Sequence, residues 1–254
     1  MSFLAAIIAS GQSAASFTPA SLPSIYAYYD ATDLSTLWQD AARTTPVTTA
    51  GDPVRVIDDL SGNGHHIIAP SDAARGLYQF GGGVLMDGSN DTYVEASGTD
   101  VAIPVYLAMV YKKTSTTGAA VWNLRPNSNT VYIYITGATS ATVGDGRMAA
   151  RNPVAELADT ANGEWNTGST AVVDSLVVAG TNDVQVGLNP RVTAANTQPA
   201  GNTMTAAKVR LSSSGFGGAC PAGTFYGGIV ALADPASLRG DAKGWLATRG
   251  GITL

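Results

Sequence analysis

Both histidines of the chain are adjacent, in the stretch LSGNGHH of residues 60–66. Asp58 and Asp59 stand directly before this stretch, so imidazole and carboxylate groups that could bind a metal ion or exchange protons occur together. Neighbouring residues of an extended chain point to opposite faces, which does not suit His65 and His66 to one shared metal ion. The pattern Asp-x-Ser-Gly-Asn-Gly is typical of a tight turn. We predict a structural turn here, with a ligand role for one histidine as the alternative.

Motifs of known enzyme classes are absent from the sequence. Glycosidases use two carboxyl groups that flank the scissile bond, and the chain has only three glutamates, at Glu95, Glu156 and Glu164. No G-x-S-x-G, H-E-x-x-H, P-loop or G-x-G-x-x-G pattern occurs. We therefore expect no enzyme activity, although a triad that uses His65 remains open.

Charge and cysteine content exclude several function classes. The only cysteine, Cys220, can form neither an intrachain disulfide nor a cysteine-based zinc site. The net charge is −5, and the densest basic pair is Lys112 with Lys113. We therefore expect no nucleic-acid partner and no membrane insertion. A polar, weakly charged surface is compatible with neutral glycans instead.

The elements that must position these residues are short strands between turns. Charged residues make up only 13% of the chain and 29 of its 254 residues are glycine, which favours a β-rich and turn-rich protein over charged helices. Apolar or alternating runs occur at residues 25–29, 54–57, 92–96, 103–113, 120–124, 130–136, 171–180, 184–188, 208–212 and 226–233. Runs of this length and spacing predict an all-β, two-sheet sandwich.

The two chain ends differ from this pattern. At the C-terminus we predict a short helix, with Asp234 as its N-cap, Pro235 at its first position and Gly250 after its end. At the N-terminus, residues 3–10 form an apolar run that is too short to span a bilayer. This run lacks the basic residues that open a signal peptide, which is the alternative. We predict that residues 1–24 dock on a partner chain or on another copy.

Residues 25–254 resemble laminin-G-like, concanavalin-A-like jelly-roll domains. The motifs that carry the resemblance are YYDATDLSTLWQD (28–40), DDLSGNGHH (58–66), VLMDGSNDTYVEA (84–96) and GTFYGGIVALADPASL (223–238). They match, in order, an opening strand, an acidic turn, the strand F-x-G-S-x-D-Y-V and the closing strand before a final helix, and IPVYLAMVYKK (103–113) stands where these domains have their next long core strand. Residues 114–205 match no motif of these domains. The resemblance implies a single antiparallel jelly-roll domain that follows the docking segment.

The opening segment more specifically resembles surface proteins of bacteriophages, prophages and gene transfer agents. This resemblance implies a virion fibre or spike, made in the bacterial cytoplasm, that binds host cell-surface polysaccharide. It also implies a homo-oligomer that contacts other virion proteins through residues 1–24. The alternatives are a purely structural decoration or connector subunit and a polysaccharide-degrading enzyme.

Jelly-roll domains of this kind often hold Ca²⁺ on loop oxygens, about six to eight of them. Glycan binding requires no cofactor, but the resemblance implies calcium as a possible bound ion. The chain has no contiguous D-x-D-x-D-G loop, so a site would have to assemble in space, and Asx turns are the alternative. The candidate ligands are Asp58, Asp59, Asn63, Asp87, Asn90 and Asp91.

Sugar sites combine aromatic faces with planar polar groups. The glycan-binding candidates are Trp122, Asn123, Arg125, Trp165 and Tyr226. Packing in the core or at an interface is the alternative for each aromatic ring. We assign Trp38 and Trp245 to packing because they lie in apolar contexts.

Overall fold

The structure of the chain is a computed structural model. It describes residues 17–115, 120–126, 132–136, 147–152, 154–159, 165, 167–178, 180–189, 191–198, 203–213 and 222–254. Within these residues the chain forms two antiparallel sheets and one α-helix. The predicted two-sheet antiparallel β-sandwich with a short C-terminal helix is confirmed.

The strands are numbered in chain order and include every apolar run predicted as a strand. They are β1 (Ile25–Asp30), β2 (Leu37–Trp38), β3 (Pro53–Val54), β4 (Val56–Ile57), β5 (Ile67–Ile68), β6 (Gly76–Tyr78), β7 (Val84–Met86), β8 (Tyr93–Glu95), β9 (Thr99–Ala102), β10 (Val105–Lys113), β11 (Ala120–Arg125), β12 (Tyr132–Thr136), β13 (Arg147–Asn152), β14 (Val154–Asp159), β15 (Thr170–Val177), β16 (Gly180–Leu188), β17 (Arg191–Gln198), β18 (Thr203–Ser213) and β19 (Gly223–Ala231). Short 3₁₀ turns are Pro19–Ser21, Leu34–Thr36, Asp72–Ala74 and Ala236–Leu238, and the helix α1 is Arg239–Arg249.

Strands distant in sequence lie side by side in both sheets. Sheet A has the order β17-β16-β15-β10-β19-β7-β6-β3, with β1 also paired to β19. Sheet B has the order β14-β13-β12-β11-β18-β8-β5-β4-β2, with β9 also paired to β18. Each sheet has two neighbouring strands from opposite halves of the chain, β10 with β19 in sheet A and β11 with β18 in sheet B. Each sheet is therefore complete only when both halves have come together.

The core lies between the two sheets and is rich in aromatic rings. Trp122 stacks on Phe225 with ring centroids 5.5 Å apart and meets Tyr29 edge-on at 5.6 Å. All three side chains are fully buried, and each contributes on the order of 1.5–3 kcal/mol by leaving water. A Cβ atom at Gly228 would lie 2.9 Å from the Trp122 ring, so this strand position admits only glycine beside the indole.

The outer face of sheet A is covered by α1. The helix packs on β10, β15 and β19, and its buried residues join an apolar cluster with theirs. The predicted helix is divided, because Asp234 accepts a hydrogen bond from the Ala236 amide at 2.8 Å in the 3₁₀ turn, and α1 begins only at Arg239. The helix ends before Gly250, as predicted.

The described part of the N-terminal segment packs on the same cluster. Leu22 is buried in it, and Phe17 lies against it beside Trp245. Residues 17–24 therefore dock on this chain's own sandwich, and residues 1–16 lie outside the described residues. No helix in the described ranges is both long enough and apolar enough to cross a membrane.

Candidate functional site

The stretch LSGNGHH forms the turn predicted from its sequence. Asp59 is the centre of the turn, because its two oxygens accept hydrogen bonds from the Tyr28, Ser61 and His65 amides at 2.9–3.1 Å. Its carboxylate also accepts the Ser61 hydroxyl at 2.7 Å. Gly62 has a φ of 85°, in the left-handed region that favours glycine. The carboxylate of Asp59 is thus used by the backbone and is not presented to a ligand.

His65 belongs to a buried cluster around Glu95, a contact that spacing alone does not reveal. Its Nδ1 lies 2.7 Å from Glu95 Oε1, and the Tyr26 ring stacks on the imidazole at 3.7 Å. The Tyr26 hydroxyl donates to Glu95 at 3.0 Å, and the Val209 amide donates to its other oxygen at 3.0 Å. Burial raises the pKa of Tyr26, which keeps the phenol protonated as a donor. The cluster holds β1, β8 and β18 together.

His66 and Asp58 form a second, more exposed group. The Trp38 indole donates to Asp58 at 2.7 Å, and the Arg43 guanidinium lies 3.0 Å from the same carboxylate. His66 Nδ1 accepts the Asp59 amide at 3.1 Å. Burial, followed by the charge of Arg43, lowers the pKa of His66, which is consistent with a neutral ring that accepts. The imidazole of His66 and the carboxylate of Asp58 therefore both have partners within the chain.

The predicted calcium ligands do not come together as a metal site. Asp87 accepts the Ser89 amide at 2.7 Å, as in an Asx turn, and Asp91 accepts the Asp87 amide at 2.6 Å. The amide nitrogens of Asn63 and Asn90 donate to backbone carbonyls. Among the residues that the structure describes, no group of three or more His, Cys, Asp or Glu could hold a metal ion. The oxygens of Asp58, Asp59, Asn63, Asp87 and Asp91 serve turns and local pairs instead.

Three of the five glycan-binding candidates lie apart from the other two. Trp122 and Trp165 are fully buried between the sheets. Trp165 meets Tyr111 edge-on, with Lys113 Nζ 5.2 Å from its ring centroid. Tyr226 belongs to sheet A and packs on the α1 cluster. For these rings the packing alternative applies, since none of them presents an open face beside the other candidates.

Asn123 and Arg125 lie together on the outer face of sheet B. On β11, the side chains of Trp122 and Leu124 point into the core, so alternation directs Asn123 and Arg125 outward. Asn123 pairs with Arg210 of β18 on one side and Tyr134 of β12 on the other, while Arg125 pairs with Lys208. We call this set the polar face; its members are Asn123, Arg125, Tyr134, Lys208 and Arg210.

The side-chain amide of Asn123 is the unusual group of the polar face. It is fully buried, and neither its oxygen nor its nitrogen has a hydrogen-bond partner. Leaving a buried polar group unsatisfied costs about 1–3 kcal/mol, and native proteins contain few such groups. An amide offers both a donor and an acceptor, which is what a hydroxyl-bearing ligand requires.

Basic side chains lie on the same face as this amide. Burial, and then the charge of Arg125, lowers the pKa of Arg210, so the two guanidinium groups are close enough to repel each other. Lys208 donates from Nζ to the Ala96 carbonyl at 2.6 Å. A chain with a net charge of −5 thus concentrates three basic side chains on two adjacent strands of one face.

Sequence analysis missed Tyr134, Lys208 and Arg210. The alternation in KVRLS could have shown that Lys208 and Arg210 share a face opposite to Val209, which is buried in the core. No sequence pattern could show that this face adjoins Asn123, because β11 and β18 are paired only in the folded sheet.

No family model matches this chain, and no curated protein matches it. Solved structures share its fold. A Trypanosoma rangeli sialidase superposes with a TM-score of 0.55 at 8% identity over 91% of this chain and 34% of that chain. A GH54 α-L-arabinofuranosidase soaked with a cyclic sulfate inhibitor gives a TM-score of 0.51 at 15% identity, over 89% of this chain and 62% of that chain.

A smaller structure completes the comparison. The CBM40 of Ruminococcus gnavus IT-sialidase, bound to α2,3-sialyllactose, has a TM-score of 0.44 at 15% identity and covers 61% of this chain and 94% of that chain. The Trypanosoma rangeli sialidase and the arabinofuranosidase, whose TM-scores exceed 0.5, share the β-sandwich fold of this chain.

Proposed function

We propose that this chain binds a glycan, without cleaving it, through the polar face of sheet B. The observation that carries the proposal is the buried Asn123 amide, which has no partner for its donor or its acceptor. Sugar hydroxyls both donate and accept hydrogen bonds, so two of them could satisfy this amide. The part-exposed Tyr134 and Arg210 flank Asn123 on its two sides and supply flat groups for a sugar ring.

The fold supports this proposal by analogy. The sialidase was solved in complex with sialic acid, and the other enzyme acts on arabinofuranosides by its name. One fold can carry many functions, so the weight lies on Asn123 rather than on the likeness. A non-enzymatic role agrees with the engagement of Glu95, whose oxygens are held by Tyr26, His65 and Val209 inside the sandwich.

We further propose that the glycan is a host polysaccharide and that the chain is a surface fibre or spike of a phage or gene transfer agent particle. The support is the resemblance of the opening segment to such proteins, around residues 28–40 and 58–66. The part of the N-terminal segment before Phe17 would then connect the domain to another virion protein or another copy, since residues 17–24 pack on the sandwich. A decoration or connector subunit without a glycan ligand is the competing role.

Binding to encapsulated bacterial cells and to acapsular mutants of the same strains tests this function. We expect capsule-dependent binding by the native chain and at least a tenfold loss for Asn123→Ala. The control is Lys112→Gln, a change on sheet A that should leave binding intact. Equal binding to capsulated and acapsular cells, or none to either, would favour the connector role. Loss of capsule viscosity during incubation would instead indicate an enzyme.

A further inference from the structure

A groove with a volume of about 360 Å³ lies between α1 and the first described residues. Phe17 and Trp245 line it with aromatic rings. Gly240, Gly244 and Thr248 follow one another at intervals of four residues, so they line the groove along one side of α1. The groove therefore offers two rings and a side of the helix that carries only small residues.

The charged residues of the groove do not call for a charged ligand. Arg249 stacks its guanidinium on the Trp245 ring at 3.9 Å and pairs with Asp30 at 2.9 Å, so its charge is already balanced. Asp241 is exposed in the first turn of α1, where water and the helix dipole stabilise a carboxylate. The part of the groove that still needs cover is apolar.

The two glycines of the groove are not required by the described part of the chain. A Cβ atom at Gly240 or Gly244 would have no described atom within 4 Å. Gly244 lies in the middle of α1, where glycine weakens a helix relative to alanine. Glycine at this position leaves room for another segment to approach the helix backbone closely.

The apolar run at residues 3–10 is the segment placed to fill this groove. Residues 1–16 carry no charged side chain, and an apolar run left in water favours aggregation. The run is joined through residues 11–16 to Phe17, which itself lines the groove. This connection spans at most about 20 Å, more than the length of α1, which is about 16 Å. The run can therefore reach the whole groove, at an effective concentration on the order of millimolar.

We propose that residues 3–10 occupy the α1 groove of their own chain while the chain is free. The groove then acts as an autoinhibitory contact that covers the apolar run before assembly. In a particle, the same run would leave the groove to join its partner. This inference goes beyond the proposed function, because it concerns the free chain and does not depend on a glycan.

Photocrosslinking of the full chain tests this contact. Phe3→benzoylphenylalanine places the crosslinker in the run and keeps an aromatic side chain there. We expect crosslinks within the monomeric chain to peptides of residues 239–249, identified by mass spectrometry. Thr99→benzoylphenylalanine is the control, because Thr99 is exposed on β9 of sheet B, with the core between it and α1. It should give no crosslink to α1.

Two variants locate the contact in the groove. Gly244→Leu fills the groove from the middle of α1, and Thr248→Trp fills it from the next turn. Each should lower the crosslink yield to α1 at least fivefold without lowering the melting temperature, since both positions face open space. Ser237→Leu adds a leucine at an exposed position outside the groove and should change the yield less than twofold.

A mixture of ¹⁵N-labelled and unlabelled chains identifies the occupant. Crosslinks confined to one chain support the proposal. Crosslinks between labelled and unlabelled peptides would show that a second copy fills the groove, and would overturn it. Absence of crosslinks to α1, or an unchanged yield in both groove-filling variants, would also overturn it. None of these outcomes bears on glycan binding, which the cell-binding assay tests separately.

Discussion

The outer faces of the two sheets bury polar groups of different kinds. On sheet A, α1 covers the face, and the buried carboxylate of Asp174 is paired with Arg239 and accompanied by Lys243. On sheet B, the equally buried amide of Asn123 has no partner. The first face pairs the charge of Asp174 within the chain, although Asp174 Oδ1 and the Tyr106 hydroxyl on that face have no hydrogen-bond partner among the described residues either. The second carries an unsatisfied group, which natural proteins retain mainly where function requires it.

The largest expected effect concerns the outer face of sheet A, which α1 covers. Replacing Asp174 by Ala leaves Arg239 and Lys243 with little solvent and without that carboxylate, so we expect the free energy of unfolding to fall by about 3–5 kcal/mol. Urea unfolding measures this change. A loss below about 1 kcal/mol would mean that the cations find water when the carboxylate is removed, and that the face is less closed than it is in the structure.

The next prediction compares the change in stability for a core residue of β11 with that for its neighbour on the outer face of sheet B. Leu124→Ala removes a fully buried core side chain next to Asn123 and should cost about 2–5 kcal/mol. Asn123 is as buried as Leu124, and Asn123→Leu replaces its amide side chain by an apolar one of similar size. Because it removes an unsatisfied amide, we expect it to be neutral or to stabilise by about 1 kcal/mol. A loss comparable with that of Leu124→Ala would show that the amide has a partner in solution and would remove the contrast between the faces.

A pH-dependent effect tests whether burying the carboxylate of Asp91, just before β8, costs stability when that carboxylate is charged. Burial raises the pKa of Asp91 to about 6, well above its ordinary value near 3.8. The folded state then holds its proton more tightly than the unfolded state, so stability falls as the pH rises through this range. Asp91→Asn keeps an oxygen for the Asp87 amide and removes the charge. We expect a higher melting temperature than that of the native chain at pH 8 and no gain at pH 4.

If Asp91→Asn gave the same gain at both pH values, the charge of Asp91 would not be the cause. Packing or turn geometry would then explain the change. The buried carboxylate of Asp91 would in that case cost no more stability than the paired carboxylate of Asp174 on sheet A.

The smallest effect is expected for an exposed ion pair. Arg55 Nη1 lies 2.9 Å from Asp72, whose side chain is 80% exposed. Because water screens such a pair, Asp72→Ala should change the free energy of unfolding by less than about 1 kcal/mol. The same urea series measures it, and a cost that approaches that of Asp174→Ala would mean that pairing rather than burial sets the stability of the covered face.

Local patterns were sufficient to predict most of the long strands. The alternation in VYIYI and the apolar run YLAMVY identify β12 and β10 because strand formation depends on nearest neighbours and on which face is buried. Composition also explains why the predicted turn at residues 60–66 formed, since Gly62 adopts a positive φ. The strands β2, β5, β6, β7, β9, β13, β14 and β17 lie outside the predicted apolar runs.

The candidate site was predicted only in part. Asn123 and Arg125 lie on one face as the proposal requires, whereas Trp122 and Trp165 are in the core. Aromatic residue type could not separate these roles, because a large ring gains free energy by packing in a core as well as by stacking on a sugar. The acidic loops are ambiguous for a related reason, because carboxylates that could bind calcium also cap turns.

The sequence by itself determined where most of the long strands form, which side chains within each of them share a face, and that the chain is weakly charged and acidic. Those properties follow from local backbone preference and from composition. Only the tertiary structure decided that β18 pairs with β11, and hence that Arg210 and Lys208 stand beside Asn123 and Arg125. The physical reason is that register between strands distant in sequence is set by the packing of the shared core, and each local pattern would be compatible with many partners.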